Sequence, residues 1–359
     1  MEFHQEDNAM RIIAKSKRYF FVTVVLFCFF LLTFVFPLPL YAVGEVTAWG
    51  YNYYGQCNVP LPNTDFTAIA AGWAHSLCLK TDGSIVAWGG YDFSGECDVP
   101  SPNTGFTAIV AGLNHSLGLK TDSSIVAWGY DYYGQCDVPS PNTGFKAIAA
   151  GGYHSLGLKT DGSIVAWGDN GNGQSNVPSP NTGFTAIAAG WYYSLGLKTD
   201  GSIVAWGDDT YGQCDVPSPN TGFTAIAAGM LHSLGLKADG SIVAWGNDEQ
   251  SECDVPLPNT DFTAIAAGEL HSLGLKQNSS IVAWGYNVDG ECDVPSPNTG
   301  FTAIAAGSFH SLGLKGCLYN LAGDLNNDCK VDMMDFATMA NNWLVDCSVE
   351  PSNPACVHK

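Results

Sequence analysis

EVTAWG, Glu45 to Gly50, is the stretch on which the fold turns. Six further copies follow as SIVAWG, and each is preceded by a companion, HSLGLK or a close variant, and a turn. Glu45–Gly50 has no companion before it. The last companion, His310 to Lys315, has no AWG strand after it, because GCLYN follows. The half-repeat at one end therefore complements the half-repeat at the other.

Trp49, Trp88, Trp128, Trp167, Trp206, Trp245 and Trp284 all sit in AWG, 39 residues apart except for one interval of 40 caused by the extra Gly90. Phe66, Phe106, Phe145, Phe184, Phe223, Phe262 and Phe301 mark the same period in FTAIAAG or a variant of it. Such a period means a repeat architecture. Each unit reads as four short strands: FTAIAAG, HSLGLK, SIVAWG and, after a variable loop ending in GQC or GEC, a short CDVP strand. SPNTG supplies Pro, Asn and Gly for the turn into the next unit. Four strands in about 39 residues is the size of a propeller blade. The expected fold is all-β: a seven-bladed β-propeller over residues 44–316, closed by pairing of its N- and C-terminal strands. Closure removes the open edges a linear stack of sheets would present.

The AWG, GQ or GE, IAAG and HSLGLK elements resemble the regulator-of-chromosome-condensation repeat, a seven-bladed propeller family. The inter-blade segment CDVPSPNTGF resembles a bacterial branch that includes a secreted propeller inhibitor of β-lactamases. That resemblance implies a protein-binding propeller without catalysis. The nuclear branch implies guanine-nucleotide exchange on chromatin, which the export signal and acidity described next argue against.

Arg11, Lys15, Lys17 and Arg18 form a basic run, and Tyr19 to Phe36 is apolar but for Thr23 and Thr33. Pro37 and Pro39 end it, and Leu40-Tyr41-Ala42 resembles a cleavage site. Residues 1–42 are expected to be a signal peptide or an uncleaved membrane anchor. Either way the remainder is expected to be secreted or at the cell surface. The chain carries 14 Lys+Arg against 34 Asp+Glu, a net charge of −20, and four of those cations lie in the targeting segment. A surface so acidic repels phosphate backbones, so nucleic acid is not an expected partner. Membrane contact is expected only if the first segment stays uncleaved.

In an up-and-down blade the first-to-second connection shares one face with the connection that follows the third strand. Those loops vary between copies, whereas TDG and SPNTG, on the other face, hardly do. The variable loops carry Tyr51, Tyr53, Tyr54, Tyr91, Phe93, Tyr130, Tyr132, Tyr133, Tyr211 and Tyr286, and the short ones Trp73, Tyr153, Trp191, Tyr192 and Phe309. Acids such as Asp169, Asp208 and Asp289 are interspersed. Aromatics on the loops of one face suit a recognition surface for an extracellular protein or a glycan; packing of the rings between neighbouring loops is the alternative.

His75, His115, His154, His232, His271 and His310 occupy one place in six units, with Tyr193 in the fourth, which suggests a repeated hydrogen bond at a strand start. The seven AWG tryptophans suggest packing between blades. Cys57, Cys97, Cys136, Cys214, Cys253 and Cys292 recur singly and are expected to be free, mostly buried thiols. No nucleophile motif, phosphate loop or paired-carboxylate signature stands out, so the propeller reads as non-catalytic.

Residues 317–359 differ in composition. GDLNNDCKVDMMDF fits a calcium loop, with Asp324, Asn326, Asp328, Asp332 and Asp335 at positions 1, 3, 5, 9 and 12 and the Lys330 carbonyl at 7. Phe336, Met339, Ala340, Trp343 and Leu344 then share one face of an expected helix. Loop plus helix resembles one half of a dockerin, which implies one Ca²⁺ and a cohesin-like partner. Cys329 at the sixth position, Met333 and Met334 at recognition positions, and the missing second loop all depart from that pattern. An alternative function follows: a component of a polysaccharide-degrading complex attached through this tail. The other alternative, from the propeller's resemblance, is an inhibitor of an extracytoplasmic enzyme such as a β-lactamase. Cys317, Cys329, Cys347 and Cys356 are expected to form two disulfides, in one of three pairings. Alkylation of the denatured protein before and after reduction, read by mass, should reveal four tail thiols only after reduction.

Overall fold

The computed structural model describes residues 44–90 and 94–316. The targeting segment, Tyr91 and Phe93, the calcium loop and its helix, and the four tail cysteines all lie outside the described residues. Among the described residues there are only strands and turns, and no helix is long and apolar enough to cross a membrane.

β1 spans Gly44–Gly50. Six triplets follow: β2–β4 (Phe66–Ala71, His75–Lys80, Ile85–Gly89), β5–β7 (Phe106–Ala111, His115–Lys120, Ile125–Gly129) and β8–β10 (Phe145–Ala150, His154–Lys159, Ile164–Gly168); then β11–β13 (Phe184–Ala189, Tyr193–Lys198, Ile203–Gly207), β14–β16 (Phe223–Ala228, His232–Lys237, Ile242–Gly246) and β17–β19 (Phe262–Ala267, His271–Lys276, Ile281–Gly285). β20 (Phe301–Ala306) and β21 (His310–Gly316) are the last two. Each triplet is an antiparallel sheet in chain order. β1 pairs antiparallel with β21 from Gly44↔Gly316 to Gly50↔His310, so β20, β21 and β1 form a seventh sheet of the same kind. A single pair, Gly44↔Phe66, links it to β2.

The expected fourth strand is absent: the CDVP segments are irregular, and each blade has three strands. The cause is the Asn of SPNTG or its variant. Its side-chain amide does at one residue what a fourth strand would do along several. Asn103 Oδ1 accepts from Ile85 N–H at 2.7 Å while its Nδ2 donates to Ile85 O at 2.8 Å. Asn63 does the same for Val46, and Asn142, Asn181, Asn220, Asn259 and Asn298 for the equivalent isoleucines. The outer strand's polar backbone is satisfied at its start without further pairing.

The core lies between blades. Trp128 packs against Leu77, Leu79 and Ile85 of the preceding blade together with Phe106 of its own. Trp49 packs in the same way against Leu273, Leu275, Ile281 and Phe301, which assigns it to the blade of β20 and β21. Beneath the rings runs a buried polar node. The Gln56 carbonyl accepts from Ser76 Oγ at 2.9 Å and from Trp88 Nε1 at 2.9 Å. Glu291 O does this for Ser311 and Trp49. Each such serine except Ser233 also meets the histidine of the blade before it. His75 Nε2 lies 3.0 Å from Ser116 Oγ, and the series returns to its start where His310 Nε2 lies 2.9 Å from Ser76 Oγ. Because Ser Oγ donates to a carbonyl, His Nε2 must carry the proton, and Nδ1 of five of these histidines has no partner. In the fourth unit Tyr193 OH stands 3.0 Å from Ser233 Oγ and donates to His232 O. The glycine of AAG serves this contact: a Cβ on Gly72 would lie 2.2 Å from the His75 ring.

Trp49→Ala and Trp167→Ala should each lower stability by about 3–5 kcal/mol, measured by denaturant unfolding. A cost near zero for Trp49→Ala would remove β1 from the seventh blade.

The histidines also predict a pH dependence. Burial, with neighbouring histidines adding to it at several positions, lowers His75, His115, His154, His232 and His310 to about 3 and His271 to about 4. The unfolded imidazole titrates near 6.5. Their contribution is therefore fully present above pH 6.5 and is lost as pH falls from there toward 3. Each histidine gives a slope of about 1.4 kcal/mol per pH unit in that window. Unfolding free energies at pH 7.5, 5.5 and 4.5 should show it. His154→Tyr, which copies the fourth unit, should reduce the slope.

Candidate binding face

The first strand of each blade is innermost. The ends of β2, β5, β8, β11, β14, β17 and β20 and the loops after them ring a small central opening of about 70 Å³. Backbone bonds between successive loops surround it, among them Gly152 N to Gly190 O and Ser308 N to Gly72 O. At the residue after the glycine the copies diverge to Trp73, Leu113, Gly152, Trp191, Met230, Glu269 and Ser308. Sequence reading picked out the two tryptophans but missed the others, whose signal was their variation at a single repeat position. Burial raises the Glu269 carboxyl above the usual carboxylate range, and Ser308 opposes that through a hydrogen bond.

The loops following the outer strands rise on the same face and gather the aromatics into two clusters. In one, Tyr51 and Tyr53 stack at 6.3 Å, Tyr53 meets Tyr54 edge-on at 5.0 Å, and Tyr54 lies 5.6 Å from Trp73. Phe309 joins Tyr51 at 6.4 Å and Tyr286 at 6.3 Å. In the other, Tyr130 and Tyr132 stack at 6.4 Å, Tyr132 meets Tyr133 at 5.0 Å, and Tyr133 meets Tyr153 at 5.2 Å. Tyr153, Tyr192 and Trp191 continue that series. Among the described residues Tyr211 belongs to neither cluster. The rings do pack on one another, yet Tyr53 (77%), Tyr132 (78%), Tyr133 (45%) and Tyr211 (48%) remain exposed.

The first cluster walls a cavity of about 230 Å³, lined by Tyr51, Tyr54, Gln56, Trp73, Ala74, Tyr286, Asp289 and Phe309. Sequence reading named its aromatic walls separately but could not join Tyr286 to Tyr54 without the β1–β21 pairing. It passed over Gln56, which recurs in the GQC motif and looks purely structural.

The repeated cysteines are half-buried rather than buried, and among the described residues only Cys78, outside that series, is fully so. Their thiols point at loop carbonyls: Cys214 Sγ donates to Asp208 O at 3.2 Å, and Ser175 Oγ takes the same role with Asp169 O. Burial, with acidic neighbours adding to it, pushes Cys97, Cys136, Cys214, Cys253 and Cys292 up to about 12. Such thiols are poor nucleophiles. Among the described residues no group of three His, Cys, Asp or Glu side chains could hold a metal ion.

Five units, residues 66–95, 106–135, 145–174, 184–213 and 262–291, match the family model for the regulator of chromosome condensation (RCC1) repeat. No curated protein matches the chain by sequence. Among solved structures, Prp20p from Saccharomyces cerevisiae, described with its binding properties to Gsp1p and histones, aligns at a TM-score of 0.66 and 18% identity, covering 85% of this chain and 96% of its own. Human WBSCR16 aligns at 0.61 and 16% identity, covering 77% and 100%. The ectodomain of the Arabidopsis thaliana receptor kinase ACR4 aligns at 0.56 and 20%, covering 71% and 99%. Five of the units thus match the RCC1 repeat, and the described array has the RCC1-like propeller fold.

Proposed function

We propose that this RCC1-repeat array is a closed, seven-bladed, non-catalytic binding propeller, exported from the cytoplasm, which holds an extracellular or cell-surface protein or a glycan on its aromatic face. The observation that carries this reading is the contrast between faces. One bears two aromatic clusters and loops that differ from copy to copy. The other repeats the same turns, with Asp82, Asp122, Asp161, Asp200 and Asp239 each accepting from the serine two residues on. A recognition surface needs different side chains at equivalent places; a purely structural one does not.

Closure is supported by the β1–β21 pairing and by the return of the histidine–serine series from His310 to Ser76. The absence of catalysis is supported by where the polar groups are spent. The buried His and Ser side chains bond each other and backbone carbonyls, and the thiols are far from ionised at neutral pH. A protein partner gains support from the Gsp1p and histone binding of Prp20p. Export rests on the apolar segment Tyr19–Phe36 and its basic flank. The tail is proposed to bind one Ca²⁺ through Asp324, Asn326, Asp328, Lys330, Asp332 and Asp335 and to attach the propeller to a larger assembly.

Capture of partners from the producing cell's envelope and medium, with and without chelator, tests this. The triple variant Tyr53→Ala, Tyr132→Ala, Tyr133→Ala should lose partners held by the face. Its unfolding free energy should stay within about 0.5 kcal/mol per site, because these rings are exposed. Full retention of every partner by that variant would refute recognition by the face. Partners lost only on chelation belong to the tail.

A further inference from the structure

The cavity of the first aromatic cluster contains a buried donor that is left over, unlike the equivalent donors of Gln174 and Gln213. Gln56 is fully buried. Its Oε1 accepts from Tyr54 N–H at 3.0 Å, which fixes the amide's orientation, and its Nε2 has no hydrogen-bond partner. Elsewhere that donor is used: Gln174 Nε2 donates to Asp169 at 2.9 Å and Gln213 Nε2 to Asp208 at 2.7 Å. Both aspartates directly follow AWG. In the first unit Tyr51 holds that position, and a tyrosine there leaves the amide donor over. The rule repeats after β7, where Tyr130 follows AWG and Gln135 Nε2 likewise has no partner. A buried donor without an acceptor is destabilising, a cost that an acceptor-bearing ligand would remove.

We propose that this cavity binds one neutral pyranose ring of a glycan, a reading that rests on the aromatic face being a binding face. Its size comes first: at about 230 Å³ it lies below the roughly 300 Å³ at which pockets for drug-sized ligands begin, so it holds a single ring-sized group. Its chemistry comes second. Tyr51, Tyr54, Trp73, Tyr286 and Phe309 offer flat apolar faces for the C–H side of a sugar, Gln56 offers a donor, and Asp289, exposed at the lining, offers an acceptor. An ammonium or guanidinium group would suit the rings and Asp289 but has donors only, and would leave Gln56 unsatisfied. A carboxylate or phosphate would satisfy Gln56 but meets Asp289 and a chain of net charge −20. A hydroxyl both donates and accepts, so a ring bearing hydroxyls answers every group.

Saturation-transfer NMR and calorimetry on the intact protein test this. The probes are methyl glycopyranosides of glucose, galactose, mannose and xylose, with tetramethylammonium and methylguanidinium as cationic counter-probes. At least one pyranoside should bind. Gln56→Glu keeps the acceptor for Tyr54 N–H and removes the donor. The fold accepts glutamate there, since Glu96, Glu252 and Glu291 hold the equivalent places, and Glu252 accepts from Gln250 N–H in the same way. Gln56→Glu and Asp289→Asn should each weaken the pyranoside about tenfold with unfolding unchanged. Binding of the cations alone, binding of no pyranoside, or pyranoside binding indifferent to Gln56→Glu would overturn the proposal. If pyranosides fail while Tyr132→Ala and Tyr133→Ala still release captured partners, the binding-face reading stands and the sugar site falls. If pyranosides bind and the Tyr53, Tyr132, Tyr133 variant retains every captured partner, the sugar site stands and recognition of those partners by the face falls.

Discussion

The structure depends on one carbonyl per blade. The oxygen of Gln56, and of each Gln or Glu equivalent to it, is buried and accepts two hydrogen bonds, from a serine hydroxyl and a tryptophan indole. The serine, except Ser233, is in turn met by the histidine of the preceding blade. Three pieces of chain are thereby locked at one atom: the loop leaving one blade, the middle strand of the next, and the outer strand of that next blade. The indole N–H needs a partner once buried, and the packing of the ring against the preceding blade places it there. Packing and polar satisfaction therefore specify the same inter-blade geometry, which is the local agreement that a repeat fold needs.

This node explains why the copies are so uniform in some places and so free in others. Gly72 and its equivalents must lack a Cβ, because the histidine ring and the next blade's backbone occupy that space. Glycine in the middle strand is less rigidly required. A Cβ on Gly118 would lie 2.5 Å from the Phe106 ring, yet Cys78 occupies the same position in the first blade. There the Lys80 Nζ stands 5.6 Å from the Phe66 centroid, against 3.7 Å for Lys120 and Phe106. The loops above the node bear none of these constraints. Their residues satisfy only themselves, and so they can diverge into aromatics and acids.

Much of this was legible in the sequence, for identifiable reasons. The spacing of AWG and FTAIAAG set the period, and the unmatched EVTAWG pointed to β21 because a lone strand leaves edge groups unpaired. The histidine bond was legible because only a repeated contact explains one imidazole per unit. The fourth strand was misread because CDVP has strand-like residues, while what ends the pairing is an asparagine amide acting in place of backbone. Gln56 was illegible for a related reason. The glutamine looks the same in each copy that carries it, and whether its donor is used depends on the residue five positions earlier: Asp169 and Asp208 use it, Tyr51 does not. The first cluster needed the β1–β21 pairing, since Tyr286 and Tyr54 approach one cavity only once β1 is the outer strand of the blade of β20 and β21.

The position of that cavity has a thermodynamic consequence. Its lining comes from the loop after β1, the β2–β3 loop, the loop after β19 and the β20–β21 loop, so it straddles the seam where the two ends of the array meet. Elsewhere a blade is continuous in sequence, but here it is assembled from strands more than 260 residues apart in the chain. Opening the seam would separate Tyr51 and Tyr54 from Tyr286 and Phe309 and dismantle the cavity. Under the proposed closure, a ligand held there would bind the closed ring and not the open one, and would stabilise closure by RT ln(1 + [L]/Kd), about 2.7 kcal/mol at a hundredfold excess over Kd. The seam joins the blade with the greatest loop-closure cost, so under the proposed binding, occupancy and closure would be linked there.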